Sequence, residues 1–208
     1  MIHDVDRSLA NWLGRCLPAG VAVRFAGPRP GWPPHTPLVN GFLCDIREDV
    51  SMLSADLHHL RDADGRTTAR RAPTRRYRLR YLMTAWTNDG EDPTEHELLA
   101  AVLQGGVAVQ TIPADCLVGA LAEAGELVPL RCAPAGEKPV GTDFYTQFGL
   151  PPMTTLDLVV TAPLVPALLP ELAPAPSEVD LHTEPPLARR PPAAPANGDK
   201  PRGRITER

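Results

Sequence analysis

The sequence predicts an α/β (α+β) domain: a mixed, largely antiparallel sheet of about four to five strands flanked by helices, with a disordered C-terminal tail. Three observations carry this. Segments with apolar residues at helical spacing alternate with short β-rich segments. The stretch RRYRLRYLMTAWTND, 75–89, starts as a strict alternation of Arg76, Arg78 and Arg80 with Tyr77, Leu79 and Tyr81, then becomes an uninterrupted apolar run to Trp86. Such a strand has one wet face over its first half and two covered faces over its second. From about residue 165 prolines crowd in and aromatics vanish, so the chain there cannot bury enough apolar area to offset its ordering entropy.

The elements follow in order. Residues 3–17 read as a helix, with Val5, Leu9, Trp12, Leu13 and Cys16 on one face and Asp4 and Asp6 in the first turn, ended by Pro18 and Gly20. VAVRFA, 21–26, reads as a short strand, and the prolines of GPRPGWPPHTP, 27–37, exclude regular structure. LVNGFLCDIRED, 38–49, is a second strand, with Phe42, Cys44 and Ile46 on one face and Leu43, Asp45, Arg47 and Asp49 on the other. Residues 50–74 form a long polar connection with a DADG turn at 62–65, an exposed arm or a loop ordered by a partner. The strand at 75–87 should pair antiparallel with 38–49 around that arm. DPTEHELLAAVLQGG, 92–106, is a helix capped by Asp92 or Thr94, stopped at Gly105, and placed to fold back over Leu82, Thr84 and Trp86. A helix over 113–125, a strand over 127–132, a short helix within 141–149 and a last strand over 154–164 complete a domain of residues 1–164, with the Pro/Ala-rich tail at 165–208.

The bulk properties exclude some functions. A net charge of −4 and a pI near 5.9 argue against a dedicated nucleic-acid binder. Cys16, Cys44, Cys116 and Cys132 are far apart and form no CxxC, which points to a reducing compartment and no zinc ribbon. MIHDVDRSL is not a signal peptide, and LDLVVTAPLVPALLP is too interrupted by Asp157 and prolines to span a membrane. A soluble, cytoplasmic protein is expected.

No catalytic constellation stands out. None of the four serines, Ser8, Ser51, Ser54 and Ser177, lies in GxSxG, and TEHELL lacks the second histidine of HExxH. Neither cofactor nor metal is expected. Asp45 and Asp49 would lie opposite or diagonal to Arg76, Arg78 and Arg80 across the paired strands, according to register.

Two blocks, LVNGFLCDIRED and RRYRLRYLMTAWTNDGEDPTEHELLAAVL, together with the opening MIHDVDRSLANWL, resemble the tube-terminating cap proteins of phage-tail-like contractile injection systems. The resemblance covers roughly residues 1–163. It implies a tail-terminator-like fold and a ring, taken to be a homohexamer, on the distal end of the inner tube. The implied partners are the chain itself, the inner tube protein and the sheath protein, with no membrane, no nucleic acid and no catalysis. A ring needs one closing interface per copy, so the resemblance makes Arg76, Arg78 and Arg80 against Asp45, Glu48 and Asp49, six charged residues, the candidates for intersubunit contacts as well as internal pairs. Two other readings stay open at this level: a nucleic-acid-binding or regulatory module using the basic arm 61–80, and a small enzyme with a dispersed site.

Overall fold

Helix α1 (Ile2–Cys16) forms where the apolar spacing predicts it, and Val5, Leu9, Trp12 and Leu13 are its buried stripe. The computed structural model describes residues 1–27, 36–52, 56–65, 67–87, 92–136, 143–147, 149–150 and 153–169. The tail beyond 169 lies outside them, as does the capping of the second helix by Asp92. After α1 come β1 (Ala22–Arg24), β2 (Leu38–Asp49), β3 (His58–Arg61), β4 (Thr67–Arg71), β5 (Arg75–Trp86), α2 (Asp92–Ala108), α3 (Ala120–Ala124), β6 (Leu130–Cys132), α4 (Asp143–Thr146), β7 (Leu156–Leu164) and β8 (Leu168–Leu169).

Five strands form the main sheet in the order β1-β2-β5-β7-β6. Only the β1–β2 pairing is parallel, so the sheet is mixed and largely antiparallel, as the sequence predicts. β5 lies at its centre. Leu79, Tyr81, Met83 and Ala85 join α1 and the α2 residues Leu98, Leu99 and Val102 in the main core. Helix α2 therefore covers the odd-numbered face of β5, not the Leu82–Thr84–Trp86 face expected for it. The even face is closed by another segment: Leu38 and Trp86 pack with Tyr145 and Leu150, and the Phe42 and Phe144 rings stack 5.6 Å apart. Trp86 donates its indole N–H to Thr84 Oγ1 at 3.0 Å, so its one polar atom is satisfied inside this cluster.

Four expectations need correction. A β-bulge at Cys44, between Leu43 and Asp45, shifts the register and puts Phe42 on the same face as Asp45, Arg47 and Asp49. The predicted grouping, which extended a regular alternation through Cys44, is off by that one residue. Residues 50–74 are not a structureless connection. The DADG turn closes the hairpin of β3 and β4, and β8 pairs with β4 through Arg70–Leu169 and Arg71–Leu168. Helix α2 runs through Gly105 to Ala108, because its two glycines serve packing. A Cβ at Gly106 would lie 2.8 Å from Cys132 Cβ, and one at Gly105 would press on Cys16 Sγ. Finally, the helix expected over 113–125 is broken into a 3₁₀ turn, Ala114–Cys116, and α3. Gly119, with φ at +57°, makes the break. The freed groups bond to α1: Val118 N–H donates to Ser8 Oγ at 3.1 Å, and Asn11 Nδ2 donates to the Cys116 carbonyl at 3.1 Å.

One polar pair enters the main core. The buried Tyr81 hydroxyl donates to Asp6 Oδ1 at 2.7 Å, with Phe25 edge-on to the Tyr81 ring. Burial raises the Asp6 carboxyl above its ordinary 3.8, against the lowering effect of the Tyr81 hydrogen bond. A raised acid pKa means that the folded state holds the proton more tightly than the unfolded one. Stability therefore falls as pH rises from the unfolded value through the folded one. Asp6→Asn keeps an acceptor for Tyr81 and cannot ionise. The stability of this variant relative to the parent should rise between about pH 4 and pH 7. Parallel stability curves in urea titrations at the two pH values would remove this account.

Candidate interaction surface

Below the α4 segment, the even-numbered face of β5 carries no helix among the described residues and is charged. The bulge at Cys44 brings Asp45, Arg47 and Asp49 of β2 opposite Arg80, Arg78 and Arg76 of β5. On the other side, β7 brings Val159 and Thr161 opposite Arg80 and Arg78, and β6 places Arg131 opposite Val159. Beyond the bulge, alternation gathers these residues, since directly opposed residues share a face.

The ion pairs differ from the expected ones. Arg80, only 8% exposed, turns to β7 and grips Asp157 with two bonds, Nε to Oδ1 at 2.8 Å and Nη2 to Oδ2 at 2.9 Å. That hydrogen-bonded partner holds the Arg80 guanidinium above its usual value. Asp45, directly opposite Arg80 in register, pairs instead with Arg47 at 2.7 Å. Arg76 pairs with Glu126, in the segment leading to β6, at 2.6 Å. Asp49 accepts from Ser51 through the hydroxyl at 2.7 Å and the backbone N–H at 3.0 Å. Those bonds, led by the hydroxyl, hold its carboxyl below the usual range, with Arg76 and Arg78 adding to the effect. Glu48 lies opposite Tyr77, hence on the helix-covered face, and pairs with Arg75 at 3.0 Å. So five of the six candidate residues share one surface and Glu48 does not. The physical reason is that a central strand has two neighbours, and a bidentate carboxylate one diagonal step away on β7 outcompetes the acids of β2.

Sequence reading missed Asp157, Glu126 and Arg131. Asp157 had a usable signal: an acid inside an apolar strand needs a partner, and the arginine ladder of β5 offers one. Glu126 and Arg131 carry no such signal, because a short loop and a short edge strand place them.

A cleft of about 320 Å³ opens in this face, lined by Asp49, Ser51, Arg76, Arg78, Arg131 and Thr161 among others. Among the described residues no group of His, Cys, Asp and Glu is placed to hold a metal, and no helix is long and apolar enough to cross a membrane. The charged groups on the wall of this cleft are the guanidiniums of Arg76, Arg78 and Arg131 and the carboxylate of Asp49.

Comparison with known proteins places this fold. One solved structure, the sheath/tube terminator of the PVC extracellular contractile injection system in its extended state, superposes with a TM-score of 0.65 at 21% identity. It covers 90% of this chain and 65% of its own. The tube-terminating cap of the anti-feeding prophage, AFP, gives a TM-score of 0.64 at 21% identity, over 89% of this chain and 62% of its own. The chain thus spans somewhat less than two thirds of the length of either protein. No curated protein matches it in sequence. Residues 4–178 match the Pvc16 N-terminal domain family. With that match running through both sheets and most of the sequence, the chain belongs to the Pvc16 N-terminal domain family.

Proposed function

We propose that this chain is a structural cap and terminator of a contractile injection particle. Copies form a ring, taken as a homohexamer, on the distal end of the inner tube, end its growth and engage the last sheath layer. The partners are the chain itself, the inner tube protein and the sheath protein, and assembly takes place in the cytoplasm. The chain performs no catalysis in this role. The observation that carries the reading is the fold shared over nine tenths of the chain with a sheath/tube terminator, together with membership of the family. The charged sheet face, with Asp45, Asp49, Arg76, Arg78 and Arg80, supports it as a surface whose mixed charges would orient a contact with another subunit.

Electron microscopy of particles from a strain lacking this chain tests the proposal. Tubes of uncontrolled length, or sheaths that fail to stay extended, are the expected result. Particles of normal length and yield would refute it.

A further inference from the structure

We infer that a small receptor for one arginine side chain of a protein partner lies just past β1, where the Asp6 carboxylate and the Phe25 ring together take the guanidinium. It is separate from the charged sheet face, since Tyr81 beneath it belongs to the helix-covered side of β5. It does not depend on the cap function.

A cavity of about 180 Å³ opens there, lined by Asp6 of α1, Phe25 and Gly27 past β1, Gly41 and Leu43 of β2, and Tyr81 of β5, among others. Its size sets the class of occupant. At about 30 Å³ per molecule it holds about six waters. It falls below the roughly 300 Å³ at which pockets take a drug-sized ligand. The room suits the end of one side chain.

The local sequence builds the walls before any ligand arrives. A Cβ at position 41 would lie 2.9 Å from Phe25 Cε1, so Gly41 lets the ring seat directly on the β2 backbone. Phe25 also stands edge-on to Tyr81, with ring centroids 5.6 Å apart. Asn40 clamps the next residue from both sides. The Ala26 N–H donates to Asn40 Oδ1 at 3.2 Å, and Asn40 Nδ2 donates to the Ala26 carbonyl at 3.1 Å. A rim held this way spares a ligand the cost of ordering it.

The chemistry is that of a cation site. The Tyr81 hydroxyl donates to Asp6 Oδ1 at 2.7 Å, and among the described residues Oδ2 has no hydrogen-bond partner and Asp6 no ion pair. His3 acts on the carboxylate electrostatically without pairing with it. A half-buried carboxylate with one neutral partner is short of compensation. The half-buried Phe25 ring beside it attracts a cation that comes within about 6 Å. A guanidinium meets both needs at once, giving an N–H to Oδ2 while its plane lies against the ring. An ammonium is more strongly hydrated and has no flat face. A neutral group gains little from the carboxylate.

Saturation-transfer NMR that observes the ligand, with the full chain as receptor, is the test. The probe is propylguanidinium, compared with propylammonium, neutral propylurea and N-acetyl-arginine amide, which carries the same head on a backbone-bearing stem. The thermal transition of each variant checks its folding. Propylguanidinium and N-acetyl-arginine amide should bind with roughly millimolar affinity. Propylurea should bind about tenfold more weakly. Asp6→Asn keeps an acceptor for Tyr81 but loses the charge, and should weaken propylguanidinium about tenfold. Phe25→Leu leaves the carboxylate and should weaken it about threefold. Equal binding by the parent and both variants would move the ligand elsewhere on the surface and overturn the site. Failure of propylguanidinium to bind, or propylurea binding as well as it does, would overturn it too. Propylammonium binding as tightly, or N-acetyl-arginine amide failing to bind, would overturn the assignment to an arginine side chain.

Discussion

Arg80→Met should lower stability by about 3 kcal/mol. Methionine keeps most of the side-chain stem that packs in the sheet but removes the guanidinium, so Asp157 is left inside the face without its bidentate partner. Breaking a buried pair from one side strands a charge, which costs far more than the net worth of the pair. Asp157 remains about a fifth exposed, 21%, so the low end of the usual range applies. The second half of the prediction is more diagnostic. Adding Asp157→Leu should recover most of the loss, since an apolar pair of similar size removes the stranded carboxylate. Chemical denaturation of the two variants decides the matter. A single-variant loss below about 1 kcal/mol would place the pair with ordinary exposed ion pairs.

Gly106→Ala is the other large effect, and here two principles disagree in sign. Intrinsic propensity favours alanine over glycine in a helix interior by about 1 kcal/mol. Packing opposes it, because the added methyl would lie 2.8 Å from Cys132 Cβ and closer still to the thiol. The Cβ of Cys132 is fixed to its backbone, so relief requires α2 and β6 to move apart. Overpacking of this kind costs about 1–3 kcal/mol, and more where backbone must shift. Packing should win, with a net loss of about 2 kcal/mol. A thermal melt that shows stabilisation would mean that α2 and β6 are less tightly held than they look. On a Cys132→Ala background the same substitution should cost less, since the sulfur is gone and part of the clash with it.

The sequence made the two long strands and the two longer helices legible because each has a clear period. Alternation marked Arg76 to Tyr81, and helical spacing marked Val5 to Leu13 and Leu98 to Val102. It did not reveal the bulge at Cys44, because one extra residue leaves no compositional trace. Gly105 and Gly106 were misread as a stop for a related reason: a glycine used for close approach looks the same as a glycine used for a cap. The helix expected over 113–125 fails because the local preference for helix there loses to hydrogen bonds made with α1, which only the tertiary structure supplies. The six charged candidates were legible as a strand-borne set. Their partners were not, since pairing depends on which strand lies on the far side of β5.

The short strand β8 carries a mechanical consequence. It ties the chain just past β7 to the arm by pairing two residues, Leu168 and Leu169, with Arg71 and Arg70. β7, by contrast, is held to β5 along nine consecutive pairs, from Arg75–Leu164 to Met83–Leu156. Tension applied to the chain beyond Leu169 therefore reaches the two-residue seam before it reaches the long one. The seam should part first and lengthen the tether, so that the long β5–β7 pairing takes the load only once that slack is used up.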